Sequence, residues 1–206
     1  MMTEATRWER AWDQAGGSPR EGLLDELIAR HAEPDRAYHT MRHVEECLAA
    51  FEPVTHQAER PAEIELAIWF HDAVYDTKAH DNEAQSAALA ARELLAGGAD
   101  AAAAARVERL ILATRHDGIP EDVDARLLVD VDLAILGAEA ERFAEYEAQV
   151  REEYAWVPEA AFRLGRARLL RSLLDRPSLY GTAWFRDRLE AAARRNLERS
   201  LRTLTG

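Results

Sequence analysis

Apolar residues along this chain recur at intervals of three and four, with charged residues between them, and this spacing predicts amphipathic helices almost throughout. Met41, Val44, Leu48 and Phe51 form one such stripe, and Ile64, Ala67, Ile68, His71 and Val74 another. Glycine is scarce, proline falls between the periodic segments, and no strand-like alternation stands out. The predicted helices run from Glu4 to Gln14, from Ser18 or Pro19 to His31, from a cap at Asp35 to a stop at Pro53, and onward from Pro61. Further helices start from caps at Asp81 and Asp100, reaching Leu95 and roughly Arg115, and another covers Glu121 to Leu136. Three more, at about 139–156, 158–174 and 182–204, complete an all-α, single-domain helical bundle.

Within the stretch Trp69 to Asp76 an adjacent imidazole and carboxylate, His71 and Asp72, interrupt an apolar run. Burying such a pair costs free energy unless both groups are satisfied, either by surrounding backbone or by a divalent ion. On the preceding predicted helix His39 and His43 lie four apart and share a face, and a later segment carries Asp130 and Asp132. Nitrogen and oxygen donors of a His2Asp2 set suit Mn, Mg, Fe, Co, Ni or Zn with coordination positions left for water. Helical periodicity places Asp130 and Asp132 equally far from the apolar centre and does not choose between them.

Composition narrows the alternatives. The 206 residues carry a formal net charge of -12, which argues against a nucleic acid polymer or a membrane surface as partner, because phosphate backbones require a basic face. Cys47 is the only cysteine, so an intramolecular disulfide and a Cys-rich zinc site are both excluded, and it reads as a buried small hydrophobe. No His-Glu-x-x-His segment of a zinc peptidase occurs. The polar N-terminal stretch and the lack of a long apolar run set the expected location as cytoplasmic, and a homodimer is the base-rate expectation for assembly.

The runs Arg36-Ala37-Tyr38-His39-Thr40-Met41-Arg42-His43, Ala67-Ile68-Trp69-Phe70-His71-Asp72-Ala73-Val74-Tyr75-Asp76 and Asp81-Asn82-Glu83-Ala84-Gln85-Ser86-Ala87 follow one another in order. Together with Thr114-Arg115-His116, the run Asp130 to Gly137, Arg151-Glu152-Glu153-Tyr154, Gly165-Arg166 and Ala193 to Leu197, this series resembles the predicted metal-dependent phosphohydrolases of the HD superfamily over nearly the whole chain. The resemblance implies an HD-type helical fold, with a metal-binding core at about 35–137 and additional helices at about 138–204. It implies one divalent ion held by His43, His71, Asp72 and Asp132, with His39 and Asp130 as the alternative ligands. Asp72 would also orient an attacking water, His116 and Glu83 would assist, and Arg166 would meet the substrate phosphate. The expected activity is hydrolysis of a phosphate ester or anhydride of a small metabolite, nucleotides among the candidates, by a metal-activated water. A non-catalytic metal- or nucleotide-binding sensor, and a bundle in which His71 and Asp72 form a satisfied core pair, are the competing expectations.

Overall fold

The computed structural model describes residues 4–206, and its regular structure among them is entirely helical. In chain order the helices are α1 (Glu4–Gln14), α2 (Leu23–Arg30), α3 (Met41–Phe51), α4 (Pro61–Phe70), α5 (Asn82–Ala96), α6 (Ala101–Ala113), α7 (Val123–Asp132), α8 (Ala140–Glu153), α9 (Glu159–Leu174) and α10 (Ala183–Thr205). Single 310 segments follow α3 (Glu52–Gln57) and α7 (Leu133–Gly137). The all-α expectation is met, and no helix among the described residues is long and apolar enough to cross a membrane.

Helix α4 is the axis of the bundle. Every residue from Ala62 to Phe70 is buried, so the helix is enclosed by neighbours on all sides. It packs against α1, α3, α5, α6 and α7. Trp8 of α1 meets Trp69 edge-on with ring centroids 5.5 Å apart. Two glutamates on α4 are buried with it, and each is paired. Glu65 receives Arg10 at 2.7 Å, and Glu63 receives Arg106 at 2.6 Å. A carboxylate left alone at such a position would destabilise the bundle, so these arginines fix how α1 and α6 sit on the axis.

Several boundaries differ from the periodicity, for identifiable reasons. Helix α3 starts at Met41, with Thr40 rather than Asp35 at its N-cap position. The backbone N–H groups of Ala37, Tyr38 and His39 are instead turned onto Oε1 of Glu153, at 2.8–2.9 Å, so this segment cannot be helical. His39 therefore precedes α3 and does not share its face with His43 as a helical spacing of four would require. Helix α4 ends at Phe70 with His71 at its C-cap, rather than continuing to Val74. Helix α2 starts only at Leu23, after Gly22 in the left-handed conformation with φ of 76°. Asp100 does cap α6, accepting from the Ala103 N–H at 2.5 Å, whereas Asp81 sits at the N-cap of α5 without a side-chain cap bond and accepts from Gln85.

The C-terminal helices are attached to the end of α7. Asn196 of α10 donates to the carbonyls of Leu136 and Ala138, both at 2.9 Å. Gly137 lies so close to α10 that a Cβ there would stand 2.6 Å from Leu189 Cβ and 3.1 Å from the Leu189 carbonyl oxygen. Gly137→Ala is therefore expected to push α10 away from the 310 segment and to destabilise the fold by about 1–3 kcal/mol. A thermal or urea unfolding curve unchanged from the wild type would refute that packing.

Candidate metal centre

Three elements meet beside the axis. Helix α3 brings His43, the C-terminal end of α4 brings His71 and Asp72, and the last residue of α7 is Asp132. Successive residues of an α-helix point about 100° apart, so His71 and Asp72 reach one point only because the helix stops at Phe70 and the chain turns. Arg36 holds that turn by donating to the carbonyl oxygens of Asp72 at 2.6 Å and Ala73 at 3.3 Å. Ser86 of α5 closes it from the other side through the backbone of Val74.

The separations between donor atoms define the site. His43 Nε2 lies 3.1 Å from His71 Nε2, 3.2 Å from Asp132 Oδ1 and 3.6 Å from Asp72 Oδ2. His71 Nε2 lies 3.1 Å from Asp72 Oδ2 and 3.6 Å from Asp132 Oδ1. Ligands about 2.1 Å from one ion stand about 3.0 Å apart in octahedral geometry and about 3.4 Å apart in tetrahedral geometry, so these spacings fit a single divalent ion. The tautomer fits as well. His71 Nδ1 donates to the Ile68 carbonyl at 2.8 Å, which leaves Nε2 as the atom with a free lone pair toward the cluster.

The electrostatics also favour a cation at this point. Burial works to raise the Asp72 carboxyl, but His71, His39 and His43 outweigh it and hold the pKa below the usual carboxylate range. Asp132 is likewise held well below that range, against burial, by hydrogen bonds from His116, His43 and His71. For His71 burial opposes protonation, and the charges of Asp72 and Asp132 prevail, holding it well above its ordinary value. Two ionised carboxylates facing buried imidazoles thus draw positive charge, whether as protons or as a metal ion.

Cys47, one turn after His43 on α3, borders the same cluster. Its Sγ lies 3.7 Å from both His43 ring nitrogens, and His43, Cys47, His71 and Asp132 form a group that can hold a metal ion. Burial, reinforced by Asp132 and Asp72, pushes the thiol pKa well above its ordinary value. By ligand softness a hard divalent ion is better matched by the Asp72 carboxylate and a soft one by Cys47.

The remaining candidates separate into those beside the cluster and one that is engaged elsewhere. His116 Nε2 contacts the second Asp132 oxygen, Oδ2, at 2.9 Å, and the residue adopts φ of 58°, an uncommon conformation for a side chain other than glycine. His39 lines the same cleft, its Nδ1 2.8 Å from Glu153 Oε2 and its ring stacked on Tyr75 at 4.1 Å. Glu83 and Arg166 are also cleft residues. Asp130 faces away. Its carboxylate accepts from the N–H groups of Gly181 and Thr182 and from the Thr182 hydroxyl, at 2.6–2.7 Å, and so ties the start of α10 to α7. Two residues apart on a helix means about 200° of rotation, so Asp130 and Asp132 cannot serve one site.

Sequence reasoning passed over Glu153 as a site residue, although it orders the whole rim. It accepts from three consecutive backbone N–H groups and from the Tyr75 hydroxyl at 3.0 Å, and it faces the His39 ring. It belongs to the run Arg151 to Tyr154 of the resembling series, but within a charged helix an acidic residue carries no local mark of a site. Above the cluster the cleft encloses about 460 Å³, and Arg115, Arg166 and Arg176 are among its lining residues. The fold and site define an all-α protein with a His/Cys/Asp cluster able to bind a metal ion. No family model, curated protein or solved structure matches the chain.

Two outcomes follow from this geometry. Asp132→Ala is expected to weaken divalent-ion binding at least about a hundredfold, whereas Asp130→Ala should lower the melting temperature with metal stoichiometry intact. Equal ion affinity in the wild type and Asp132→Ala, measured by calorimetry, would exclude Asp132 as a ligand. Glu153 supplies a pH signature. Burial tends to raise its pKa, but the His39 hydrogen bond and charge and the backbone donors bring it down to about 2 from an ordinary 4.5. A depressed carboxyl stabilises the fold fully above pH 4.5, and that contribution, about 3 kcal/mol, is lost as pH falls toward 2. Glu153→Gln should lack it at neutral pH and show a flatter loss of stability between pH 4.5 and 2; an acid limb as steep as the wild type's would contradict this.

Proposed function

We propose that this protein is a metal-dependent phosphohydrolase of the HD superfamily that acts on a small phosphorylated metabolite. The observation that carries the reading is the placement of the cluster. His43, His71, Asp72 and Asp132 converge where Asp72 and Asp132 line a cleft that also takes in Arg115, Arg166 and Arg176, in a chain whose net charge is -12. Arginines gathered at one place in an acidic protein supply the local positive potential that a phosphate needs. The ordered resemblance of residues 36–43, 67–76 and 130–137 to that superfamily supports the same reading.

The chain's own groups have definable parts in such a reaction. His43 and His71 would offer Nε2 lone pairs, and Asp72 and Asp132 anionic oxygens, which together would hold a divalent ion. When bound, the ion supplies Lewis-acid activation of water and of a phosphoryl oxygen. Asp72, half open to the cleft, accepts a hydrogen bond from the attacking water and aligns it. His116 is held against Asp132 by a strained backbone and donates from Nε2, so it fixes the carboxylate and stands beside the substrate. Glu83 adds a carboxylate at the cleft for relaying the water's proton. The surrounding leucines, among them Leu169, Leu170 and Leu173, limit water and accept the apolar part of the substrate.

The expected result is phosphate release from one or more members of a phosphomonoester and nucleotide panel when Mn, Mg, Co, Ni or Zn is added. His71→Ala and Asp72→Ala should lower that rate at least about a thousandfold, as expected for loss of the ion and its activated water. A protein that binds metal stoichiometrically and yet hydrolyses nothing in a broad panel would overturn the catalytic reading and favour a metal-binding sensor.

A further inference from the structure

Among the described residues, three buried polar atoms with no hydrogen-bond partner in the protein belong to residues that line the cleft: the Tyr38 hydroxyl, Arg176 Nη1 and His116 Nδ1. Buried polar groups are nearly always paired, and each unpaired one costs about 1–3 kcal/mol. The unpaired indole N–H groups of Trp12 and Trp69 belong to the packed core and line none of the cavities described here, so they say nothing of a ligand. Tyr38 and Arg176 differ, because they line the same cleft as Asp72 and Asp132.

Tyr38 is 4% exposed and firmly held. Its ring packs on His43 at 4.7 Å, on Tyr146 at 4.6 Å and on His39 at 4.9 Å between centroids, and its N–H is fixed by Glu153 at 2.8 Å. A phenol is protonated at neutral pH, so its hydroxyl is a donor as well as an acceptor. Asp132 and Tyr38 also both border a smaller cavity of about 200 Å³, which sets the phenol at the same boundary as the carboxylate. Arg176 is anchored by one edge only, since Nη2 donates to the His116 carbonyl while Nη1 has no acceptor. Arg166, the cleft's most deeply buried guanidinium, is by contrast already occupied. Its Nη2 donates to the Tyr146 hydroxyl at 2.8 Å and to Glu147, and its Nε reaches Glu147 at 3.2 Å.

We infer that the Tyr38 hydroxyl and the unpaired Nη1 of Arg176 are the donors that grip the substrate's phosphoryl oxygens beside the metal cluster, while Arg166 braces the cleft wall through Glu147. The inference rests on the phosphohydrolase reading and assigns its substrate-binding residues. A rigid phenol and an anchored guanidinium satisfy two oxygens of a tetrahedral oxyanion, and the ligand in turn satisfies both orphaned donors. Tyr38→Phe removes one oxygen atom and leaves the ring packing in place, so it isolates the proposed hydrogen bond.

The test uses the full chain loaded with manganese and titrated with inorganic phosphate by calorimetry, with metal content and melting temperature measured in parallel. Phosphate binding about tenfold or more weaker in Tyr38→Phe, with metal content unchanged and melting temperature unchanged or raised, is the expected result. Arg176→Gln should weaken phosphate by at least as much. Wild-type affinity in Tyr38→Phe overturns the assignment of Tyr38, and wild-type affinity in Arg176→Gln overturns that of Arg176. Phosphate bound with wild-type affinity by both variants overturns the inference and leaves the phosphohydrolase reading standing, whereas manganese-loaded wild type that binds no phosphate overturns both, so the two failures are distinguishable.

Discussion

Two imidazole nitrogens 3.1 Å apart, each within 3.6 Å of two carboxylate oxygens, set the constraint around which the middle of this bundle is arranged. Such an assembly of lone pairs and negative charge is unfavourable in an apolar interior unless a cation, proton or metal, sits among them. The elements that deliver these groups accordingly end where they do. Helix α4 stops at Phe70 so that His71 and Asp72 can both turn inward, and α7 stops at Asp132 and tightens into a 310 segment. Helix α3 starts only at Met41, because the backbone ahead of it is drawn onto Glu153.

A second tier of polar contacts keeps that arrangement in place without touching its centre. Arg36 secures the carbonyls of Asp72 and Ala73, Ser86 secures Val74, and the Ile68 carbonyl fixes the His71 tautomer. Glu153, at the end of α8, receives the segment that carries Tyr38 and His39. These contacts join residues far apart in sequence, so the site is complete only when α8 and the turn after α4 are both packed. Preorganisation of this kind is what allows a buried charge cluster to keep one geometry.

The helices were largely legible in the sequence because apolar spacing and punctuation are local signals. Glu4–Gln14 appears as the sequence predicts, and so does the cap at Asp100. The departures occur where distant partners compete with local preference. Residues 35–40 look helical until Glu153, more than a hundred positions away, captures three of their N–H groups. The His71-Asp72 pair was conspicuous as an interruption of an apolar run, whereas Tyr38, Arg176 and Glu153 were not. A tyrosine in a polar stretch ahead of α3 and an arginine in the connection between α9 and α10 carry no local mark of function, and only burial without a partner, or with several, sets such residues apart.

The choice between Asp130 and Asp132 shows how a tie in sequence is broken by the chain that comes back. Both lie at the margin of the α7 apolar stripe, and the local pattern treats them alike. What separates them is the segment just ahead of α10, where the amides of Gly181 and Thr182 find their acceptor on α7. Asp130 meets that demand with its two carboxylate oxygens and so has none left for a metal, while Asp132, rotated about 200° away, is free to face His43 and His71. One pair of carboxylates thus anchors the C-terminal helix and completes the cluster, and the packing of α10 is coupled through two residues of α7 to the position of a proposed metal ligand.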